Sequence, residues 1–220
     1  MILNKLIQYI SDWIILVPVI VGALFYRNLN RDARFIFWIS GIGLVPQMTH
    51  FFGKDSSFQN LLYNIYTPME FGAFYLLFFS KLRRRSIKRI YRILLILFIL
   101  LSLCLLVIGS FSWYKYNNLW TVVAQFFYIL FIGLYIVETF DPENDDLDPR
   151  LPFFWYLMGI VLFAVSTTTV YGLWYKLLRS IVDSKLGMLW SLLNIFNIFM
   201  YALFSVGLLL NIKNEQHYRQ

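Results

Sequence analysis

Charge almost disappears from this chain in long stretches. Residues 13–26, 35–53, 56–69 continuing as 71–80, 93–114, 116–137, 151–175 and 186–212 carry no Asp, Glu, Lys or Arg. A helix needs about 20 predominantly apolar residues to cross a bilayer. The first run is short but extends back past Asp12 into Leu6–Ser11, so the spacing predicts seven spans near 8–27, 33–52, 58–80, 91–110, 118–138, 152–173 and 188–211. Strands of a membrane barrel alternate polar and apolar residues over about 10 positions. These runs are continuous, which selects helices, the other spanning solution. The expected fold is all-α: one polytopic seven-transmembrane-helix bundle over residues 1–220, with no room for a soluble domain.

Composition agrees. The 220 residues are 60% hydrophobic and only 14% charged, where a soluble domain carries about 25% charged residues. Disorder needs low hydrophobicity and is excluded. The single cysteine, Cys104, lies within span 4 and permits no intrachain disulfide. Met1–Ile10 holds one Lys and no small-residue cleavage site, so it reads as the start of span 1 and not as a signal peptide.

The basic residues set the orientation. Of 19 Lys and Arg, 13 fall in one alternating set of loops: Arg27, Arg31 and Arg34; the seven between Lys81 and Arg92; Arg150; Lys213 and Arg219. The remaining six are Lys5, Lys54, Lys115, Lys176, Arg179 and Lys185. Lys and Arg gather on the cytoplasmic side, so a multi-pass protein of the cell (inner) membrane is expected, with its N-terminus outside and C-terminus cytoplasmic. The net charge of +7 is then a topology signal. It does not form the soluble basic face that nucleic-acid binding requires. The Lys81–Arg92 loop would attract anionic lipid headgroups, each basic residue contributing about 1 kcal/mol near the surface. The loop after span 5 gathers Glu138, Asp141, Glu143, Asp145, Asp146 and Asp148. It lacks the central Gly and late Glu of a calcium loop and reads as a solvated acidic segment facing the basic loop.

Spans 1–3 and 5–7 share one orientation, which suggests a 3+1+3 parallel repeat. Arg34-Phe35-Ile36-Phe37-Trp38 opens span 2, Arg150-Leu151-Pro152-Phe153-Phe154-Trp155 opens span 6, and Asn64-Ile65-Tyr66 is echoed by Asn194-Ile195-Phe196. With Pro46-Gln47 in span 2 and one Asn in each of these matching segments, the chain resembles the PQ-loop and SWEET sugar-transporter group. In that group paired Asn residues line the pocket, which the resemblance maps onto Asn64 and Asn194. The Pro-Gln pair occurs once here, in span 2, whereas the group places it in the first helix of each repeat. The chain also resembles seven-span bacterial membrane proteins in general.

Polar residues inside the spans fall on stripes. Asn60, Tyr63, Asn64, Thr67 and Glu70 share a helix face in span 3; Asn194, Asn197, Tyr201 and Ser205 in span 7; Ser40, Gly43, Gln47 and His50 in span 2; Gln125 and Tyr128 in span 5. Such residues usually face a protein interior or a cavity, although Asn, Gln and Thr also join helices directly. With the N-terminus outside, most lie in the outer half. Glu70 sits 12 residues beyond Phe58, roughly 18 Å along the helix, near mid-membrane. A bare carboxylate there is very costly, so Glu70 must be protonated or paired; Gln47, His50, Asn197 and Tyr201 on spans 2 and 7 are its expected partners.

The expectation is an outward-facing pocket that binds a small molecule through Gln47, His50, Asn60, Asn64, Thr67, Glu70, Gln125, Asn194, Asn197 and Tyr201. A receptor-like or sensory role leads, with a partner protein to carry the signal, because the cytoplasmic segments are short. A transporter of a small polar solute needs a polar inner path, of which the sequence shows little. A lipid-modifying enzyme would use Glu70 and His50 as acid and base. No span holds a Lys for a retinal Schiff base, and one His and one Glu supply neither a catalytic zinc site nor bis-His haem. No cofactor, no metal and no catalytic residue are expected.

Overall fold

The structure, a computed structural model, describes residues 2–51, 56–107, 118–139, 148–177 and 183–218. Among them every regular element is helical: α1 (Ile2–Ile14), α2 (Leu16–Leu24), a 3-10 turn at Tyr26–Asn28, α3 (Arg31–Phe51), α4 (Ser56–Lys81), α5 (Arg85–Val107), α6 (Asn118–Thr139), α7 (Pro152–Leu177) and α8 (Asp183–Tyr218). Among the described residues each predicted span overlaps a helix, α1 and α2 together covering most of the first. The break at Ile15 follows from Pro18, which has no amide for the Ile14 carbonyl and crowds it. Four segments are long and apolar enough to cross a membrane: Leu3–Leu24, Leu119–Thr139, Pro152–Tyr171 and Leu189–Glu215. The chain is therefore all-α with at least these membrane-spanning candidates.

The helices group into two compact units, residues 1–41 with 145–220, and residues 42–144. This division does not follow the 3+1+3 scheme, since it cuts through α3 and places spans 3, 4 and 5 together.

In the first unit α8 packs along α7 and along α1 and α2. A Cβ at Gly159 would lie 3.0 Å from the Phe204 ring and 3.2 Å from the Met200 carbonyl, and one at Gly207 3.0 Å from the Pro152 carbonyl. Small residues at such contacts let helix backbones approach closely, the usual route to packing where lipid removes the hydrophobic driving force. Polar side chains tie distant helices: Asn197 Nδ2 donates to Ser11 Oγ at 3.0 Å, and the Asn30 amide donates to Asn211 Oδ1 at 3.1 Å. Asn30 also caps α3, its Oδ1 accepting the Ala33 amide at 2.9 Å. Leu3, Leu6, Ile10, Trp13, Val17, Ile20 and Leu24 leave an exposed apolar stripe along α1 and α2, suited to acyl chains.

In the second unit α4, α5 and α6 pack around aromatic rings. Phe71 stacks on Phe98 at 3.6 Å, Tyr91 stacks on Phe131 at 4.7 Å, and Phe78 meets Tyr135 at 5.9 Å. The Tyr91 hydroxyl donates to the Phe131 carbonyl, which secures α5 to α6.

Candidate functional site

Glu70 lies within α4, two residues past Pro68, and is 8% exposed. Tyr66, one turn earlier on the same face, donates its hydroxyl to Glu70 Oε1 at 2.7 Å. From α6 the Tyr128 hydroxyl donates to Oε2 at 3.3 Å. The two phenols are its hydrogen-bond partners, and among the described residues no Lys or Arg pairs with it. The expected partners on spans 2 and 7 are thereby corrected: the carboxylate is held within its own helix and by span 5. The i,i+4 spacing brings Tyr66 to the carboxylate, and the parallel run of α4 beside α6 brings Tyr128.

That parallel run is fixed by ring contacts. Phe71 meets Phe127 at 6.2 Å, Tyr75 meets Phe131 at 5.7 Å, and Phe78 meets Tyr135, so the helices advance together. Gln125, one turn before Tyr128, thus comes level with Pro68 and Met69. It is 3% exposed, and its Oε1 accepts no hydrogen bond from any described residue. A Cβ at Gly43 of α3 would lie 2.9 Å from the Tyr66 hydroxyl, so the bare backbone of α3 leaves the room that this hydroxyl occupies.

The other predicted residues take distinct places. Asn64 is buried in α4, while Asn60 and Thr67 are half-buried; Thr67 Oγ1 donates to the Tyr63 carbonyl at 2.9 Å. Gln47 is half-buried, one turn beyond Gly43. The side chain of His50 lies outside the described residues. Asn194, Asn197 and Tyr201 belong to the first unit. There Asn197 bonds Ser11, Tyr201 is buried, and Asn194 Nδ2 is buried without a partner among the described residues.

A second buried acid was misread from sequence. Glu138 is not part of a solvated loop: it ends α6, is 5% exposed, and its Oε1 accepts the backbone amides of Arg83 and Arg84. These amides lead into the positive end of the α5 dipole, where a carboxylate is favoured. Asp141, Glu143, Asp145 and Asp146 lie outside the described residues. Asp148 closes the turn before α7, its Oδ1 accepting the Arg150 amide at 2.8 Å. No metal-binding group of three His, Cys, Asp or Glu occurs among the described residues.

The contacts of Tyr66 and Tyr128 with Glu70, and of Glu138 with the Arg83 and Arg84 amides, were not among the sequence expectations. The i,i+4 relation of Tyr66 to Glu70 was available in the sequence; the reach of Tyr128 from another helix was not. Comparison with known proteins finds no matching family model, no matching curated protein and no matching solved structure.

Proposed function

We propose that the chain is a seven-span protein of the cell membrane, N-terminus outside and C-terminus cytoplasmic, which binds a small molecule from outside at the Glu70 site in a receptor-like or sensory role. The observation that carries this reading is Glu70 itself: an acid buried in an apolar helix, hydrogen-bonded by two phenols and without a cationic partner among the described residues. Intramembrane acids are expensive and usually mark function.

Seven spans are supported by length, since α3, α4 and α5 have 21, 26 and 23 residues. On α5, Ile93, Ile96, Leu97, Leu100, Leu103 and Val107 are exposed, a surface that lipid would cover. Arg83, Arg84, Arg85, Arg89 and Arg92 are exposed at the other end of the same segment, placed for anionic headgroups. The polarity of α4 favours binding over passage. Asn64 and Thr67 precede Glu70, whereas Phe71, Phe74, Leu77 and Phe78 after it are all buried and apolar, which closes the inward route. A signal would then leave through a partner protein at the cytoplasmic face.

Thiol accessibility tests the reading. In a Cys104→Ser background, Thr67→Cys in intact cells should react with a membrane-impermeant maleimide added outside, while Phe78→Cys should not. Failure of Thr67→Cys to label, or labelling only in inverted vesicles, would remove the outward pocket.

A further inference from the structure

We infer that the Glu70 site takes a protonated amine, with Glu70, Gln125 and the tyrosine hydroxyls sharing its N–H donors. The inference rests on the binding reading above and names its ligand class.

Three observations converge. First, among the described residues the hydrogen bonds to the Glu70 carboxylate come from neutral phenols. An ionised acid in that position lacks the countercharge that burial demands. Second, Gln125 Oε1 is a buried acceptor with no donor among the described residues. Leaving a buried acceptor unmade is costly, and native interiors rarely do so without a reason. Third, the register of α4 against α6 brings this acceptor level with Pro68 and Met69, within one turn of the carboxylate. One group repairs both deficits. An ammonium head carries positive charge and three N–H donors. One goes to Glu70, one to Gln125 Oε1, and one to a lone pair of the Tyr66 or Tyr128 hydroxyl, whose own hydrogen stays on the carboxylate. A bare alkali ion fits less well, because few oxygens are offered and the surrounding wall, Phe71, Phe74 and Tyr128 with ring centroids 5.3–5.7 Å apart, supplies no further ligands. A neutral sugar would leave the charge uncompensated.

The test uses the full chain in nanodiscs, with ethylammonium chloride as probe against sodium chloride and tetraethylammonium chloride at equal ionic strength. Thermal unfolding should shift upward saturably with ethylammonium alone. Glu70→Gln should abolish the shift, and Gln125→Leu, which keeps the volume but removes the acceptor, should weaken the apparent Kd by about tenfold. Should Glu70→Gln fail to fold, Gln125→Leu carries the test by itself. An equal shift with sodium chloride, no ethylammonium shift in the unmodified chain, or an undiminished shift in either variant overturns the assignment. Outward labelling at Thr67→Cys together with no ethylammonium shift would leave the pocket standing and remove only the amine.

Discussion

Glu70 and Glu138 are both buried acids of the same compact unit, and they are provided for in opposite ways. Glu138 sits at the end of α6 with its Oε1 on two backbone amides at the start of α5, inside a segment of seven basic residues. Its charge is answered by a helix dipole and by the local field. Glu70 has two neutral hydroxyls and an apolar surround. Glu138 anchors the start of α5 through Oε1, although its Oε2 is buried with no hydrogen bond from a described residue. Glu70 accepts a hydrogen bond on each oxygen but has no positively charged partner among the described residues.

The comparison can be broken at three places. Glu138→Ala should have the largest effect, destabilising the protein by about 3 kcal/mol, because two amides lose a charged acceptor at once; Glu138→Gln should recover part of this by keeping an oxygen. Unfolding in nanodiscs measures it, and a loss below about 0.5 kcal/mol would mean that α5 does not need the cap. Gly43→Ala should come next, at about 1–2 kcal/mol, since the new methyl group displaces the Tyr66 hydroxyl and a rigid ring absorbs such crowding poorly. An unchanged melting midpoint would show that Tyr66 can leave Glu70 freely. Tyr128→Phe should be smallest, about 0.5–1 kcal/mol for one 3.3 Å bond. If it exceeded Glu138→Ala, the assignment of anchor and site would have to be exchanged.

How far the sequence reveals these features depends on the physics of each. Helix extents were readable because a helix in lipid must satisfy its own backbone and exclude charge, so gaps between charges mark its ends. The same physics explains why only some helices qualify as spans by apolarity. The polar residues of α4, such as Asn60, Asn64, Thr67 and Glu70, are the ones that lower its hydropathy. Stripe periodicity correctly placed Asn64, Glu70 and Gln125 inward. It could not say which helix answers Glu70, because that depends on register between α4 and α6, and no local pattern encodes it. Glu138 was misread for a related reason. Next to a run of acids it reads as solvated, and its amide partners lie more than fifty positions away.

The two units also differ in how the chain runs through them. Residues 42–144 form one continuous stretch, whereas the other unit joins 1–41 to 145–220. Ser11 meets Asn197 across 186 positions. At the usual pace of synthesis, about 5–20 residues per second, α1 waits roughly 10–40 s for its α8 partner. During that interval the Ser11 hydroxyl has no Asn197 to bond. The Glu70 unit, by contrast, has all its helices available well before α8 emerges. Assembly therefore has a built-in order, with the helices around Glu70 available first and those around α8 last, and mutations in α8 should show up as defects late in biogenesis.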